Sequence, residues 1–405
     1  MSNQMITKLK NDIDFIYKKN ENTPRCAFYL NFSLNSSSVA AGVYSLMVRL
    51  FMQGTKTYTA ERLSQELDKY AIDFSAELKL DYLKFKFVCL NEDFEKALEI
   101  FTDIVKNTTF EEFEKERQKL EGEIIAELDS PRAKIIDTFY KTIYQEHKYG
   151  ITNTLILENL KNITKEDVIN AYDAILNNSK KVAVFVGDID FDRVENLLNE
   201  NLGDICGSNS QLPILQSPKL NEMKSVEVIK DDLNQAHILK GWLVESVDSE
   251  DYPAISLLNV ILGASGLSSR LFLELRDKKG LAYVVRSSYD IARLGANFSI
   301  YIATEPKNIE VSLKGFEEEI EKIKTTLVSE EELENAKNNL FGKWAFISET
   351  NSQQANSYAH YEIMGFGYDF REKAVERIKK VTPQDILACA NKYFNDKSVT
   401  AVLKP

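Results

Sequence analysis

Histidine is the scarcest chemistry-bearing residue of this chain: His147, His237 and His360 are the only imidazoles in 405 residues. A His-rich metal site or a histidine acid/base centre must be built from these three or not at all. Cysteine is nearly as rare. Cys26, Cys89, Cys206 and Cys389 lie far apart in sequence and form no C-x-x-C pair. That argues against a zinc knuckle, a dithiol redox motif and a disulfide framework, and leaves four reduced, partly buried small hydrophobes. Long apolar runs are missing too. No stretch reaches the roughly 18 residues of a membrane span, and Met1 to Lys19 lacks the apolar centre of a signal peptide. The expectation is a cytoplasmic chain with no membrane partner. Positive charge is also in short supply, with 50 Lys and Arg against 62 Asp and Glu and a net charge of -12. Such a surface repels phosphate backbones, so no nucleic-acid partner is expected.

What is present is ordinary folded-protein composition, 44% hydrophobic with only 16 Gly and 8 Pro, in a chain too long for one domain. The chain also repeats itself. ENLKNITKEDV at 158–168 returns as ERIKKVTPQDI at 376–386, and at the same offset Ala183-Val184 falls on Ala401-Val402. Both copies carry a helix start, Thr164 with Asp167 and Thr382 with Asp385, and Pro383 sits at the first helical position. Each half therefore ends in a helix followed by a buried strand.

Strands are expected where Phe28, Leu30, Phe32 and Leu34 alternate, and where Leu83, Phe85, Phe87 and Cys89 do so with Lys84 and Lys86 facing out. Their counterparts are 236–245 and Phe298, Ile300 and Ile302. Amphipathic helices at about 40–53, 59–71, 93–106 and 110–128 are matched by 253–262, 268–277, 307–324 and 329–348, the last opening with a capping box of Ser329 and Glu332. The order implies an α+β fold of two homologous domains, each an antiparallel sheet flanked by helices, with boundaries at 1–205 and 223–405. The linker is placed at 206–222, where Gly207, Pro213 and Pro218 stand among Ser and Asn.

One segment is specific. GLSSRLFLELRDKKGLAYVVRSSYD (266–290) followed by GANFSIYIATEPKN (295–308) resembles the pitrilysin/insulinase-type zinc peptidase superfamily, in particular its processing-peptidase-like branch. VGDIDFDRV (186–194), EHKYG (146–150) and NQAHILKGW (234–242) follow in the order the resemblance implies, over nearly the whole chain. In that family the first domain carries H-x-x-E-H on a helix, then Gly-Thr. Two imidazoles four apart share one helical face and bind zinc, and the Glu takes a proton from metal-bound water. The matching stretch here is GVYSLMVRLFMQGT (42–55), with Ser45, Val48 and Arg49 at the active positions. Both imidazoles and the base are absent, and Arg49 puts a permanent cation where a cation would bind.

The resemblance places an assisting carboxylate at Glu116 and the third ligand at Glu123, seven apart and so on one helical face. Seven Glu lie in residues 111–127, so both read first as relics or plain solvated charges. A salt bridge from Arg49 to Glu123 would keep the carboxylate from standing unpaired. The pair Glu146-His147 is one residue short of the motif and has Ile143 where the other imidazole belongs. His147 reads as a turn residue, His237 as a satisfied strand residue and His360 as a helical packing or surface residue. In the second domain the resemblance implies that Arg276 and Tyr283 contact substrate: the guanidinium holds a peptide carbonyl or carboxylate, and the phenol donates to a developing oxyanion. A helix-end cation and a sheet-packing tyrosine are the plain alternatives.

These residues lead to a catalytically incomplete subunit of a two-chain zinc peptidase. Its expected partners are a homologous H-x-x-E-H-bearing subunit, forming a heterodimer, and a peptide substrate for proteolysis. No metal or cofactor is expected in this chain, and zinc is expected in the partner subunit. The alternative is a non-proteolytic peptide-binding or scaffold protein, as a homodimer, that keeps the fold alone.

Overall fold

Strand alternation in the first half builds a mixed sheet in a computed structural model that describes residues 4–34, 39–207 and 215–405. Its strands are β1 (Gln4–Lys8), β2 (Asp14–Lys19), β3 (Arg25–Ser33), β4 (Asp73–Leu78), β5 (Tyr82–Leu90) and β6 (Lys181–Gly187), in the order β1-β2-β6-β3-β5-β4. The second half supplies β7 (Lys224–Ile229), β8 (Ala236–Val244), β9 (Ala282–Ala292), β10 (Gly295–Thr304) and β11 (Val399–Lys404), in the order β7-β11-β8-β10-β9. With β1 set aside, the two orders are the same: first, last, second, fourth, third. The internal repeat is therefore a duplicated topology, and the two-domain α+β reading holds. One detail differs from the expected antiparallel sheets. β2 runs parallel to β6, and β7 parallel to β11, because the last strand of each half returns beside the first.

The expected helices form close to their places. Val43–Leu50 (α1), Ala60–Lys69, Phe94–Asn107 and Phe113–Asp129 (α2) lie in the first half. Tyr252–Asn259, which runs on into a π-helical Val260–Ala264, a π-helical Phe272–Lys278, Ile309–Thr325 and Glu330–Phe346 lie in the second. Both threonine capping boxes are present in full, Thr164 with Asp167 and Thr382 with Asp385. The one expected at Ser329 is half made. Ser329 Oγ accepts from the Glu332 amide, but the Glu332 carboxylate is taken at both oxygens by Arg270, each contact 2.7 Å. A charge-assisted fork outcompetes the return bond to the cap.

Two further helices cover the sheets, the second of them on the segment where His360 was expected to be helical. Pro131–Tyr144 (α3) lies on the second sheet, where Ile135, Phe139 and Ile143 pack with Leu239, Tyr301, Ala401 and Leu403. It approaches closely over Gly241, where an added Cβ would stand 2.7 Å from Phe139 Cζ and 2.6 Å from the Phe298 carbonyl oxygen. Asn351–Met364 (α4) lies on the first sheet, with Ala355, Tyr358, Ala359 and Ile363 against Ile16, Tyr29, Tyr82, Val182 and Val184. Fully burying side chains of the size of Ile363 and Met364 stabilises by about 1.5–3 kcal/mol each.

Each sheet is thus covered by a helix from the other half of the chain, and packing divides the residues differently from 1–205 and 223–405. One unit is Met1–Glu123, Ile156–Ile214 and Phe346–Phe370; the other is Ile124–Leu155, Leu215–Ala345 and Arg371–Pro405. Of the linker placed at 206–222, residues 208–214 lie outside the described residues.

The covering helix also changes the place of Lys84. Expected to face out, it is buried, paired with Glu77 at 2.8 Å and within reach of Asn356 on α4. Burial alone would raise the Glu77 carboxyl, but hydrogen bonds from Lys84 and Lys79 override it and bring it down to about 2. Among the cysteines, Cys26, Cys89 and Cys389 are buried as expected, whereas Cys206 is exposed. Cys26 and Cys89 face each other across β3 and β5 with their sulfurs 3.6 Å apart.

Candidate functional site

The helix that matches the metal motif starts at Gly42, whose φ of 103° is a conformation that side chains resist. α1 then buries Val43, Leu46, Met47 and Leu50, a spacing that puts one stripe into the core and leaves Ser45, Val48 and Arg49 half-buried on the other flank. Arg49 reaches α2. Its Nη1 and Nη2 donate to the two carboxylate oxygens of Glu123 at 2.8 and 2.7 Å, and its Nε donates to Glu116 at 3.2 Å. The seven-residue spacing does bring both glutamates to one face, and Arg49 is the group that joins them.

The two carboxylates sit in different surroundings. The Glu123 side chain is 61% exposed, and that of Glu116 only 4%. Glu116 also accepts from Lys119 at 2.6 Å and from Gln53 at 3.3 Å. Sequence reasoning missed these two; the signal was helical spacing, since Gln53 follows Arg49 by one turn and Lys119 follows Glu116 by three residues. The Arg49 hydrogen bonds hold the Glu123 carboxyl below its ordinary value, and the same contact raises Arg49.

Zinc, which the resemblance implies for this position, finds no matching donors here. Ser45 and Val48 offer no imidazole, and the fork of Arg49 takes both oxygens of the carboxylate that would be the third ligand. Among the described residues no three His, Cys, Asp or Glu side chains gather as metal donors. The histidines are engaged elsewhere: His147 Nδ1 accepts from the Tyr149 amide, His237 Nδ1 meets the Tyr301 hydroxyl at 2.8 Å, and His360 Nδ1 meets the Tyr82 hydroxyl at 2.9 Å.

The second candidate pair is built by the π-helical turn Phe272–Lys278 and the start of β9. Arg276 Nη1 donates to the Tyr283 carbonyl oxygen at 2.9 Å. Its guanidinium lies 4.8 Å from the Tyr283 ring centroid and 4.5 Å from that of Phe272, so it is held between two aromatic faces. Phe272 was not singled out beforehand, although it precedes Arg276 by one turn. Tyr283 is 76% exposed and β9 is a sheet edge, so its phenol projects from an edge strand while its neighbour's cation is fixed. A fixed guanidinium and an exposed phenol can hold a carbonyl oxygen and donate to it.

Comparison with known proteins finds relatives over nearly the whole chain. The profile described as Insulinase (Peptidase family M16) matches residues 15–154, and that described as Peptidase M16 inactive domain matches residues 162–340. An uncharacterized zinc protease of Rickettsia felis is 27% identical over 99% of this chain and 97% of its own. The zinc protease PqqE of Helicobacter pylori is 25% identical over 92% of this chain and 85% of its own. In fold, a protease from Helicobacter pylori superposes with a TM-score of 0.91 at 23% identity, covering 99% of both chains. A peptidase M16 inactive domain from Pseudomonas fluorescens reaches 0.88 at 20% identity, covering 100% of this chain and 98% of that one. With both halves matched and the sheets duplicated, this chain belongs to the insulinase/pitrilysin-type superfamily, as a member without the H-x-x-E-H motif.

Proposed function

We propose that this chain is the catalytically incomplete subunit of a two-chain zinc peptidase, supplying substrate contacts to a homologous partner that carries the metal. The observation that carries this reading is the contrast between the two candidate sites. In one, a bidentate Arg49–Glu123 pair fills the place of the metal; in the other, Arg276 on its helical turn and the exposed Tyr283 on an edge strand remain side by side. Arg276 holds the carbonyl or carboxylate of an extended peptide, and the Tyr283 hydroxyl donates to the oxygen of the scissile carbonyl as negative charge develops on it. Metal, water and base belong to the partner subunit. An edge strand such as β9 is where an extended segment can add to a sheet, which supports an extended peptide as the ligand. Cysteine usage supports a cytoplasmic setting.

The test is co-expression with a homologous H-x-x-E-H chain, followed by co-purification, metal analysis and peptide cleavage. Zinc at one equivalent per pair, lost with the partner's motif, is expected. Tyr283→Phe in the pair should lower kcat by about 100-fold with KM changed far less, the size found for removal of a single oxyanion donor. Unchanged kcat refutes the role of Tyr283. A chain that forms only homodimers and binds peptides without cleavage is the scaffold outcome.

A further inference from the structure

A separate group of charges stands on the second sheet, away from Arg276 and Tyr283. α3 crosses the face of β8 and β11, and its residues Arg132, Ile136 and Tyr140, four apart, form one stripe. At one end of this stripe the Tyr140 hydroxyl donates to Asp290 at 2.9 Å, so the acid on β9 is engaged. At the other end two cations converge. The Arg132 guanidinium lies 5.9 Å from the Tyr301 ring centroid, and that of Arg286, the residue paired with Tyr301 in the β9–β10 register, lies 5.8 Å from the same centroid. Among the described residues neither guanidinium makes an ion pair or a hydrogen bond. The Tyr301 hydroxyl meets Nδ1 of His237, whose imidazole is held below its ordinary value by burial.

Two guanidiniums near one ring repel each other, and attraction to the ring and to the charge of Asp290, which is hydrogen-bonded to Tyr140, offsets only part of that. Burial first and the Arg132 charge second push Arg286 below its ordinary value, and the opposing pull of Tyr301 and Asp290 does not make up for them. We infer that Arg132 and Arg286, over Tyr301, form an anion subsite for a peptide carboxylate. The chemistry is the planar fork of arginine, which matches the two oxygens of a carboxylate. The peptide follows from position: Arg286 belongs to β9, the edge strand on which an extended ligand adds, so a carboxylate on that ligand has a route to the pair. This choice of ligand rests on the peptide-binding reading proposed above; the vacancy of the two guanidiniums does not.

The carboxylate comes from the C-terminus of the peptide or from an acidic side chain. Calorimetric titration of the full chain at low salt with an otherwise uncharged octapeptide separates these sources, using the free acid, the C-terminal amide, and an amide with one internal Asp. The free acid or the Asp-containing amide should bind about tenfold more tightly than the plain amide, and whichever does names the source. Arg132→Gln and Arg286→Gln should each remove that preference and leave binding of the plain amide unchanged. Equal binding of all three peptides overturns the subsite, and so does a preference that survives both substitutions. Acetyl-dialanine as acid and as amide, read by thermal shift, separates the two proposals. If no octapeptide binds but the small acid stabilises the native chain and neither variant, the subsite stands and the peptide-binding reading falls. If neither binds, both fall.

Discussion

Replacing Arg49 by methionine removes three hydrogen bonds while keeping most of the apolar stem. Its two partners respond unequally. The Glu123 side chain is 61% exposed, so losing that pair costs no more than about 1 kcal/mol, as for surface ion pairs in general. The Glu116 carboxylate is only 4% exposed, and a buried charge stripped of its partner costs about 3–5 kcal/mol when nothing compensates. Lys119 and Gln53 remain beside it, which reduces the cost. The net expectation is about 2 kcal/mol, or about 4–8 °C in the Tm of a folding unit of roughly 200 residues. Glu123→Gln should cost less than half as much. Scanning calorimetry at pH 7 on Arg49→Met, Glu116→Gln and the double variant closes a thermodynamic cycle. Most of the Arg49→Met loss should disappear once Glu116 is neutral. An Arg49→Met chain as stable as the parent, or a loss unchanged in the Glu116→Gln background, refutes the assignment of Arg49 as the counterion of a buried carboxylate.

Two further outcomes follow from the fold. Lys181 is buried on β6 with its ammonium bonded to the Ser179 carbonyl oxygen, and burial brings it down to about 8. Between about pH 8 and the ordinary lysine value the unfolded chain holds more protons at this residue than the native one, so its contribution to stability rises with pH across that window. Lys181→Met should therefore stabilise at pH 7 by on the order of 2 kcal/mol, with the gain shrinking towards pH 10.5, checked by Tm against pH; a constant gain refutes the titration. Gly241→Val should lower the Tm by forcing α3 from its sheet, at a cost of about 1–3 kcal/mol, and near-UV circular dichroism should show loosened aromatic packing.

Much of the architecture was legible because local chemistry and global packing agree. Alternation at Phe28 to Leu34, the threonine caps and the returning strand at Ala401-Val402 are short-range patterns. The helical spacing of Glu116 and Glu123 was equally readable. Legibility ended where a partner far along the chain decides. Lys84 alternates as an outward residue and is outward until α4 covers it. Ser329 and Glu332 spell a capping box that Arg270 interrupts. α3 and α4 escaped notice as sheet covers because no local signal states which sheet a helix will meet. The anion subsite had no sequence signature, since Arg132 and Arg286 are brought together only by the packing of α3 on the second sheet.

The exchange of covering helices has a consequence for how the chain is made. Once β6 leaves the ribosome the first sheet is complete in strands, yet the helix that shields Tyr29, Val182 and Val184 ends only at Met364. At about 5–20 residues per second the wait is on the order of 10–35 s, with an apolar sheet face open throughout. The nascent chain is therefore expected to be a chaperone client during that interval. A gene cut between the two sequence halves would yield fragments that stay soluble when made together and aggregate when made apart.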